Sequence, residues 1–157
     1  MKFGLITPAN RDLVNCWIQR KWYSTQMILR GQMIDMTRVD GVVAEENGEI
    51  IGLITYVFYG DCCEIVSFDS IRENQGIGTA LLNRVIRIAR EKRCSRIVLI
   101  TTNDHIRAIR YYQRRGFDMI HFYRNAMDIS RQMKPEIPLM GENDIPLRHE
   151  IEFEMLL

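Results

Sequence analysis

The amino-acid sequence predicts a mixed α/β fold: a mostly antiparallel sheet of about six or seven strands, with a central parallel pair and helices on both faces. Two observations support this prediction. Three β-rich runs are joined by turns at Asn47-Gly48 and Gly60-Asp61, which is the pattern of antiparallel hairpins. A strand, a helix and another strand then follow between Glu64 and Thr101, and a crossover of this kind makes its two strands parallel.

Length and composition indicate one domain with a core of its own. The chain has 157 residues, of which 46% are hydrophobic, enough to bury a core without disulfides or metals. Its 21 basic and 20 acidic residues give a formal net charge of +1, which offers no overall field for nucleic acid or an anionic membrane. We therefore expect a single domain over residues 1–157, in which residues 134–150 form an extended, proline-containing tail before a final strand.

The cysteines Cys16, Cys62, Cys63 and Cys94 match no metal-binding or redox motif. The adjacent pair at 62 and 63 is poorly placed to form a bridge. The N-terminal residues lack the hydrophobic segment of a signal peptide, and no apolar run approaches the roughly 18 residues of a membrane span. The sequence thus predicts reduced thiols, no metal site, and a soluble, cytoplasmic protein without a nucleic-acid or membrane partner.

The N-terminal part is predicted to contain a strand and a helix. Residues 2–6 form a short β-rich run, after which Pro8 offers a helix start. Apolar residues at helical spacing, such as Leu13 and Trp17, predict a helix over residues 9–22.

Residues 23–39 lack a clear periodicity and are interrupted by Gly31. We predict one short helix or a mobile loop here. The methionines of this segment, Met27, Met33 and Met36, either fill gaps in the core or form a flexible wall of a binding site.

The rest of the chain alternates between strands and helices. The run at 96–101, RIVLIT, is apolar throughout, as in a strand covered on both faces. Thr102, Asn103 and Asp104 supply capping side chains for a helix that ends at Gly116. The predicted later strands are residues 41–45, 49–59, 62–70, 96–101, 117–123 and 151–157, and the predicted later helices are residues 77–92, 105–115 and 125–133.

A glycine-containing turn, Gln75-Gly76-Ile77-Gly78, joins the strand at 62–70 to the next helix. The free amides of a first helical turn and the positive end of the helix dipole favour a phosphate, and glycine lets it approach the backbone. By itself, the turn predicts either an anion site or an ordinary tight connection.

Two segments together resemble the GNAT superfamily of N-acetyltransferases. Members of that family bind acetyl-CoA through a loop of the type Gln/Arg-x-x-Gly-x-Gly/Ala at the start of a helix, and the corresponding loop is ENQGIG at residues 73–78. The segment AIRYYQRRGF at residues 108–117 is similar to the family's Ala-x-x-x-Tyr-x-x-x-Gly-Phe pattern. The element order from residue 2 to about residue 124 also fits, so the resemblance implies a GNAT-like sheet.

The resemblance implies an acyltransferase that moves an acetyl group from its cosubstrate, acetyl-CoA, to a primary amine. The preferred acceptor is an amine of a small molecule, and the transfer is direct, within a ternary complex. The pyrophosphate would lie on the amides of residues 75–79, and the pantetheine arm would pair with the backbone of residues 68–70. The implied cosubstrate-binding residues are Phe68, Asp69, Ser70, Gln75, Gly76, Ile77, Gly78, Thr79, His105 and Ala108.

Tyr112 lies where the family commonly has the tyrosine that protonates the CoA sulfur. His105, Ala108 and Tyr112 have the spacing i, i+3 and i+7, which places them on one helix face. The alternative is that Tyr112 only packs against its neighbours.

Glu64 is the candidate base, because some members that acetylate lysine carry a glutamate in the corresponding strand and it acts through water. A substrate ammonium must lose its proton before it attacks. Alternatively, Glu64 orders a water or pairs with an arginine. Asp69 is out of phase with Glu64, so on a regular strand it faces the opposite side and shapes the loop.

The sequence departs from the family pattern at two positions. Glu73 replaces the glutamine or arginine of the loop motif, so the amides must do more or Arg72 must compensate. His105 replaces the asparagine that many members have three residues before Ala108. Either change can weaken binding of acetyl-CoA.

The acceptor is the least defined part of the prediction. Residues 24–39 and 134–150 would form its wall, and Glu136, Glu142, Asp144 and Glu150 either attract a cationic amine or belong to a solvated surface. Other functions to consider are acetylation of a protein N-terminus or lysine, and a non-catalytic acyl-CoA-binding module. The final strand and the extended tail could also pair between subunits, which would give a homodimer.

Overall fold

The structure, a computed structural model, describes all 157 residues, and they form two compact units. The first comprises Met1–Met27, Met33–Ile97 and Leu157, and the second Ile28–Gln32 and Val98–Leu156. The helices are α1 (Arg11–Trp22), α2 (Ile77–Glu91), α3 (Ile106–Arg114) and α4 (Ala126–Met133). The strands are β1 (Lys2–Leu5), β2 (Gln26–Leu29), β3 (Gln32–Asp35), β4 (Asp40–Glu46), β5 (Glu49–Tyr59), β6 (Cys62–Ser70), β7 (Arg96–Thr102), β8 (Asp118–Tyr123) and β9 (Glu150–Leu156).

The first unit is built on an antiparallel sheet in the order β1-β4-β5-β6. β4 and β5 are joined by the predicted turn, in which Asn47 and Gly48 have φ values of 53° and 80°. β7 begins in this unit next to β6 and runs parallel to it. The predicted fold class, a mostly antiparallel sheet with one parallel pair, is therefore confirmed.

Helices cover both faces of this sheet. A Cβ added at Gly52 of β5 would lie 2.9 Å from the side chain of Ile77, so α2 packs closely on the face that Gly52 presents. Lys21 of α1 lies 3.9 Å from the carboxylate of Asp69, whose partner on β5 is Leu53. Because successive residues of a strand point to opposite faces, α1 and α2 lie on opposite sides of the sheet.

β6 contains one residue more than the part of β5 that it pairs with. Thr55 pairs with Ser67, whereas the next residue of β5, Tyr56, pairs with Ile65. Val66 is therefore the extra residue of a β-bulge. A bulge of this kind shifts the alternation of side chains in the strand that carries it.

Residues 23–39 fold differently from the prediction of a short helix or mobile loop. They contain a two-stranded hairpin, β2 and β3, closed by Arg30 and Gly31, whose φ values are 53° and 71°. Two successive positive φ values are typical of a tight hairpin turn, which Gly31 alone does not indicate. Among the methionines, Met36 is fully buried and Met33 is 43% exposed, so only Met36 is a clear core residue.

α1 begins two residues later than predicted. Pro8 lies before the helix, and Asn10 is its N-cap residue. The side chain of Asn10 turns back to accept a hydrogen bond from the amide of Thr7 at 2.8 Å. Residues 7–10 therefore form a local turn in place of the predicted first turn of the helix.

The second unit contains the rest of β7, followed in the sheet by β9 and the edge strand β8. β8 and β9 are antiparallel, and Tyr123 pairs with Glu150. Between α4 and β9 the chain has an isolated bridge between Met140 and Pro146 and a short 3-10 turn over Glu142–Asp144.

None of the four cysteines forms a disulfide; Cys16 is exposed and the other three are buried. Burial, and then the neighbouring Cys94 and Cys62 thiols and Glu64, raises the pKa of Cys63 to about 12. Its thiol therefore stays protonated and unreactive at neutral pH. No helix of the protein has both the length and the hydrophobicity needed to cross a membrane.

The close contact at Gly41 of β4 gives a stability prediction. A Cβ added there would lie 2.6 Å from the carbonyl oxygen of Ile54 and 2.7 Å from the side chain of Ile6. We expect Gly41→Ala to reduce the free energy of unfolding by about 1–3 kcal/mol, measured by thermal denaturation, because the backbone must shift. Gly4→Ala in β1 is the matched control, since its Cβ would meet no atom within 4 Å. Equal melting temperatures of the two variants would contradict this account.

Candidate active site

The loop between β6 and α2 is exposed from Glu73 to Gly76. Asn74 and Gly76 adopt the left-handed conformation, with φ values of 59° and 76°, and α2 begins directly afterwards at Ile77. No side chain caps this end of the helix, and its first turn contains no acidic residue. The amides of the first turn thus lie next to an exposed loop, with the positive end of the helix dipole behind them.

Arg72, which the sequence suggested as compensation for Glu73, has another partner. Its guanidinium forms a salt bridge with the carboxylate of Glu46 on β4. The charge of Arg72 is therefore largely balanced before any anion arrives.

The Val66 bulge changes the orientation of side chains on β6. Glu64 pairs with Val57 and Asp69 pairs with Leu53, and these two partners are an even number of positions apart on β5. Glu64 and Asp69 consequently share one face, so the prediction that they face opposite sides is wrong. No residue type in β6 indicates the extra position, because the whole segment is compatible with a regular strand.

The face shared by Glu64 and Asp69 is the one that α1 covers. Glu64 is 3% exposed and Asp69 lies 3.9 Å from Lys21. Between them, Ser67 and Thr55 form a buried hydrogen bond of 2.6 Å between their hydroxyl groups. This face of the first unit therefore holds a buried polar row.

Residues 68–70, predicted to pair with a pantetheine arm, form the end of β6. They are half-buried and pair with residues 52–54 of β5. The hydroxyl of Ser70 donates a hydrogen bond of 3.0 Å to the carbonyl of Arg72, which closes the turn into the loop.

His105, Ala108 and Tyr112 belong to the second unit, where His105 is the N-cap residue of α3. The imidazole is 46% exposed; its Nδ1 lies 3.3 Å from the hydroxyl of Thr101 and its Nε2 lies 3.9 Å from the Glu142 carboxylate. Ala108 is half-buried and Tyr112 is buried, so the predicted face of α3 runs from an exposed end into the core.

Tyr112 is 8% exposed and lies among aromatic rings. Its ring centroid is 5.7 Å from that of Phe117 and 5.7 Å from that of Phe153 on β9. The packing role that the sequence left open for Tyr112 is therefore present. These contacts also fix the ring, which is a requirement for a positioned proton donor.

The predicted caps of α3 have a different role. No side chain caps α3. The Asp104 carboxylate instead accepts hydrogen bonds from the Thr102 hydroxyl at 2.5 Å and from the Glu142 amide at 2.8 Å. The cap prediction is wrong, because backbone donors of the tail compete for the same acceptors.

Asn103 binds the same tail further along. Its side-chain oxygen accepts hydrogen bonds from the amides of Arg148 at 2.9 Å and His149 at 2.8 Å. Its side-chain nitrogen donates to the carbonyl of Pro146 at 2.9 Å. The polar residues after β7 thus anchor the extended segment to the second unit.

The four tail acids that the sequence singled out have different environments. Glu136, Glu142 and Asp144 are exposed, which fits a solvated surface, whereas Glu150 on β9 is buried. The sequence reasoning did not include Arg30, Tyr123 and Glu152, which form a hydrogen-bonded group with one another. The alternation of acids in β9 was the available signal for Glu152. The structure contains no group of three or more His, Cys, Asp or Glu side chains that could hold a metal ion.

Comparison with protein families gives one match across most of the chain. The model of the acetyltransferase (GNAT) family matches residues 9–117. The uncharacterized protein YxbD of Bacillus subtilis (strain 168) is 44% identical over 142 residues, which cover 90% of this chain and 89% of the relative.

Solved structures of acetyltransferases share the fold. A GNAT family acetyltransferase from Elizabethkingia anophelis, crystallised with acetyl-CoA bound, has a TM-score of 0.72 at 22% sequence identity. The match covers 99% of this chain and 97% of the Elizabethkingia chain. A Bacillus subtilis acetyltransferase in complex with CoA has a TM-score of 0.73 at 17% identity, with 99% and 98% covered. At these identities the likeness concerns the fold alone.

The contacts of Asp104 give the second prediction. We expect Asp104→Asn to lower the free energy of unfolding by about 1.5–3 kcal/mol, because one charged acceptor becomes a donor facing an N–H or O–H group. Thermal denaturation measures the loss, and limited proteolysis should show faster cleavage within residues 134–149 than in the unsubstituted protein. Asp118→Asn, at an exposed carboxylate, is the control. Unchanged proteolysis of Asp104→Asn would show that the carboxylate does not anchor the tail.

Proposed function

The chain belongs to the acetyltransferase (GNAT) family, and we propose that it transfers an acetyl group from acetyl-CoA directly to a primary amine of a small molecule. The observation that supports this most is the exposed loop before the uncapped amino end of α2. The loop that matches the family motif is therefore also the loop whose exposed amides suit an anion. This agreement favours an acetyltransferase over a different function on the same fold.

The residues of this loop fit the pyrophosphate of acetyl-CoA. A Cβ added at Gly76 would meet nothing within 4 Å, so the space in front of the backbone is open to a phosphate. We assign pyrophosphate binding to the amides of residues 75–79 and pantetheine pairing to the backbone of residues 68–70. Acetyl-CoA, when bound, supplies the activated thioester.

The salt bridge between Arg72 and Glu46 limits the charge available at this loop. Glu73 adds a negative charge where other family members have a neutral or basic side chain. We propose that backbone amides and the dipole of α2 provide most of the attraction for the pyrophosphate. Affinity for acetyl-CoA should then depend only weakly on the side chain at position 72.

Glu64 is the proposed base. Its side chain is buried on the face of β6 that also carries Ser67 and Asp69. The acceptor ammonium loses one proton to Glu64, directly or through a water. The neutral amine then forms the new C–N bond while the C–S bond of the thioester breaks.

Tyr112 is the proposed acid, which donates the hydroxyl proton to the leaving thiolate. Its ring is held by Phe117 and Phe153, so the direction of the hydroxyl is set by packing. His105 and Ala108 lie on the same face of α3, and we assign contact with the cosubstrate to them. The nitrogen loses its second proton as the C–S bond breaks, and this proton restores the Tyr112 hydroxyl through solvent, so the products are an amide and CoA thiol. We place the reaction in the cytoplasm, where reduced thiols such as the buried cysteines persist.

Acetyl-CoA binding and turnover test the proposal together. Acetyl-CoA should raise the melting temperature of the protein, because a ligand bound only by the folded state stabilises it by about 2.7 kcal/mol at a hundredfold excess over Kd. Screening amines for release of CoA thiol should then identify an acceptor. Absence of any shift at millimolar acetyl-CoA would overturn the proposal. A shift without thiol release from any amine or peptide would indicate a binding module, and release with peptides alone would indicate a protein acetyltransferase.

Tyr112→Phe tests the acid. We expect kcat to fall about a hundredfold or more while the acetyl-CoA Kd stays nearly the same, because only the proton donor is removed. Tyr111→Phe is the matched control, as the neighbouring tyrosine lies outside the face shared by His105 and Ala108. Comparable turnover of both variants, with thiol release limited by chemistry, would exclude Tyr112 as the acid.

A further inference from the structure

The face of the first-unit sheet that α1 covers carries three buried polar side chains close together. Glu64 and Ser67 of β6 lie on this face, and Thr55 of β5 is the direct partner of Ser67. Their exposed fractions are 3%, 6% and 0%, respectively. Since buried polar groups normally have hydrogen-bond partners, the donors and acceptors on this face can be counted.

The hydroxyl groups of Thr55 and Ser67 do not use all of their hydrogen-bonding capacity. Their oxygens are 2.6 Å apart, and the amide of Ser67 donates to the Thr55 oxygen at 3.0 Å. Whichever hydroxyl donates to the other, the Ser67 oxygen retains at least one lone pair that accepts nothing. This oxygen is therefore an acceptor for a further donor.

Asn15 of α1 supplies a second acceptor of this kind. Its side-chain oxygen, Oδ1, is buried and has no hydrogen-bond partner in the protein. The residue as a whole is half-buried, so the rest of Asn15 reaches the surface of α1. A buried carbonyl without a donor destabilises the folded protein, and its presence here points to a ligand that donates to it.

Contacts at the two ends of α1 show how the helix lies on the sheet. Near its beginning, the guanidinium of Arg11 donates to the carbonyl of Val39, just before β4, at 2.9 Å. Near its end, the ammonium of Lys21 lies 3.9 Å from the carboxylate of Asp69 in the last turn of chain on β6. The helix therefore follows the direction of the strands beneath it.

This orientation gives the position of Asn15 along β6. Asn15 precedes Lys21 by six residues, which is about 9 Å along a helix and about three residues along a strand. Counted back from Asp69 along β6, that distance ends between Ser67 and Glu64. The side chain of Asn15 thus lies at the level of the two buried polar residues of β6.

The three acceptors suit one kind of group. The carboxylate of Glu64, the hydroxyl oxygen of Ser67 and the carbonyl of Asn15 can each accept a hydrogen bond, and a primary ammonium has three N–H donors and no acceptor. When Glu64 removes one proton, two N–H groups remain for Ser67 and Asn15. The lone pair then points where the proton was, and a fixed lone pair favours attack.

We propose that Asn15 positions the acceptor amine by accepting an N–H hydrogen bond at Oδ1, beside Glu64 and Ser67. This inference rests on the proposed acetyl transfer and adds to it a residue of α1 that binds the reacting nitrogen. The recognised group is the primary amine itself, whatever the rest of the acceptor is.

Asn15→Leu, which removes the carbonyl at similar side-chain volume, tests the inference. We expect the ligand-free variant to melt at the same or a higher temperature than the unsubstituted protein, because an unsatisfied buried group is removed. Butylamine and benzylamine serve as probes. Calorimetry with CoA present measures their Kd, and thiol release from acetyl-CoA measures KM. Both constants should rise about tenfold or more, while the Kd of acetyl-CoA stays the same.

Two further variants of α1 complete the experiment. Asn15→Asp keeps an oxygen acceptor at this position and should keep the amine Kd within about threefold of the unsubstituted value. Gln19→Leu removes an amide from an exposed position of the same helix and should change neither the Kd nor the KM.

Equal amine Kd values for Asn15→Leu and the unsubstituted protein overturn the inference, as does failure of both amines to bind the unsubstituted protein. A lower melting temperature of Asn15→Leu also overturns it, because the carbonyl would then have a structural role. Thiol release that Asn15→Leu leaves unchanged supports the acetyl transfer and rejects the role of Asn15. Amine binding that depends on Asn15, without any thiol release, supports the inference and rejects the proposed acetyl transfer.

Discussion

The extra residue at Val66 determines which side chains of β6 share a face of the sheet. A regular β6 would place Glu64 on one side of the sheet and Asp69 on the other. The bulge brings both to the face covered by α1, together with the Thr55–Ser67 hydrogen bond. The polar row of the first unit is thus a consequence of strand register. Substituting any one of these side chains would leave the arrangement of the others in place, whereas regular pairing would move Glu64 to the face opposite Ser67 and Asp69.

At the proposed cosubstrate loop, backbone groups provide the attraction for an anion. The guanidinium of Arg72, next to the loop, is already paired with Glu46. Amide groups and a helix dipole are fixed by the fold and do not depend on side-chain rotamers. The proposed pyrophosphate site therefore does not depend on the polar donor that its motif lacks.

Local signals in the sequence were sufficient for the parts of the fold that local interactions specify. The Asn47-Gly48 turn, the strands around it, the amphipathic α2 and the glycine turn before it were predicted because each depends on neighbouring residues. The β2–β3 hairpin was missed, since Arg30 adopts a positive φ that its residue type does not favour. The bulge and the roles of Asn103 and Asp104 depend on partners far along the chain. Of the candidate site, the glycine loop and α3 were predicted, whereas the group of Arg30, Tyr123 and Glu152 depends on hydrogen bonds between residues far apart in sequence.

The bonds of Asn103 also bear on the order of events in folding. Its three partners are 43 to 46 positions away in sequence, so each contact closes a long stretch of chain. Such contacts form after the local hairpins and helices, because closing a long loop costs conformational entropy before the hydrogen bond can form. Docking of the tail is therefore a late step, and its loss would accelerate unfolding more than it slows folding. Substitutions in a segment that docks last therefore have the smallest effect on the folding rate.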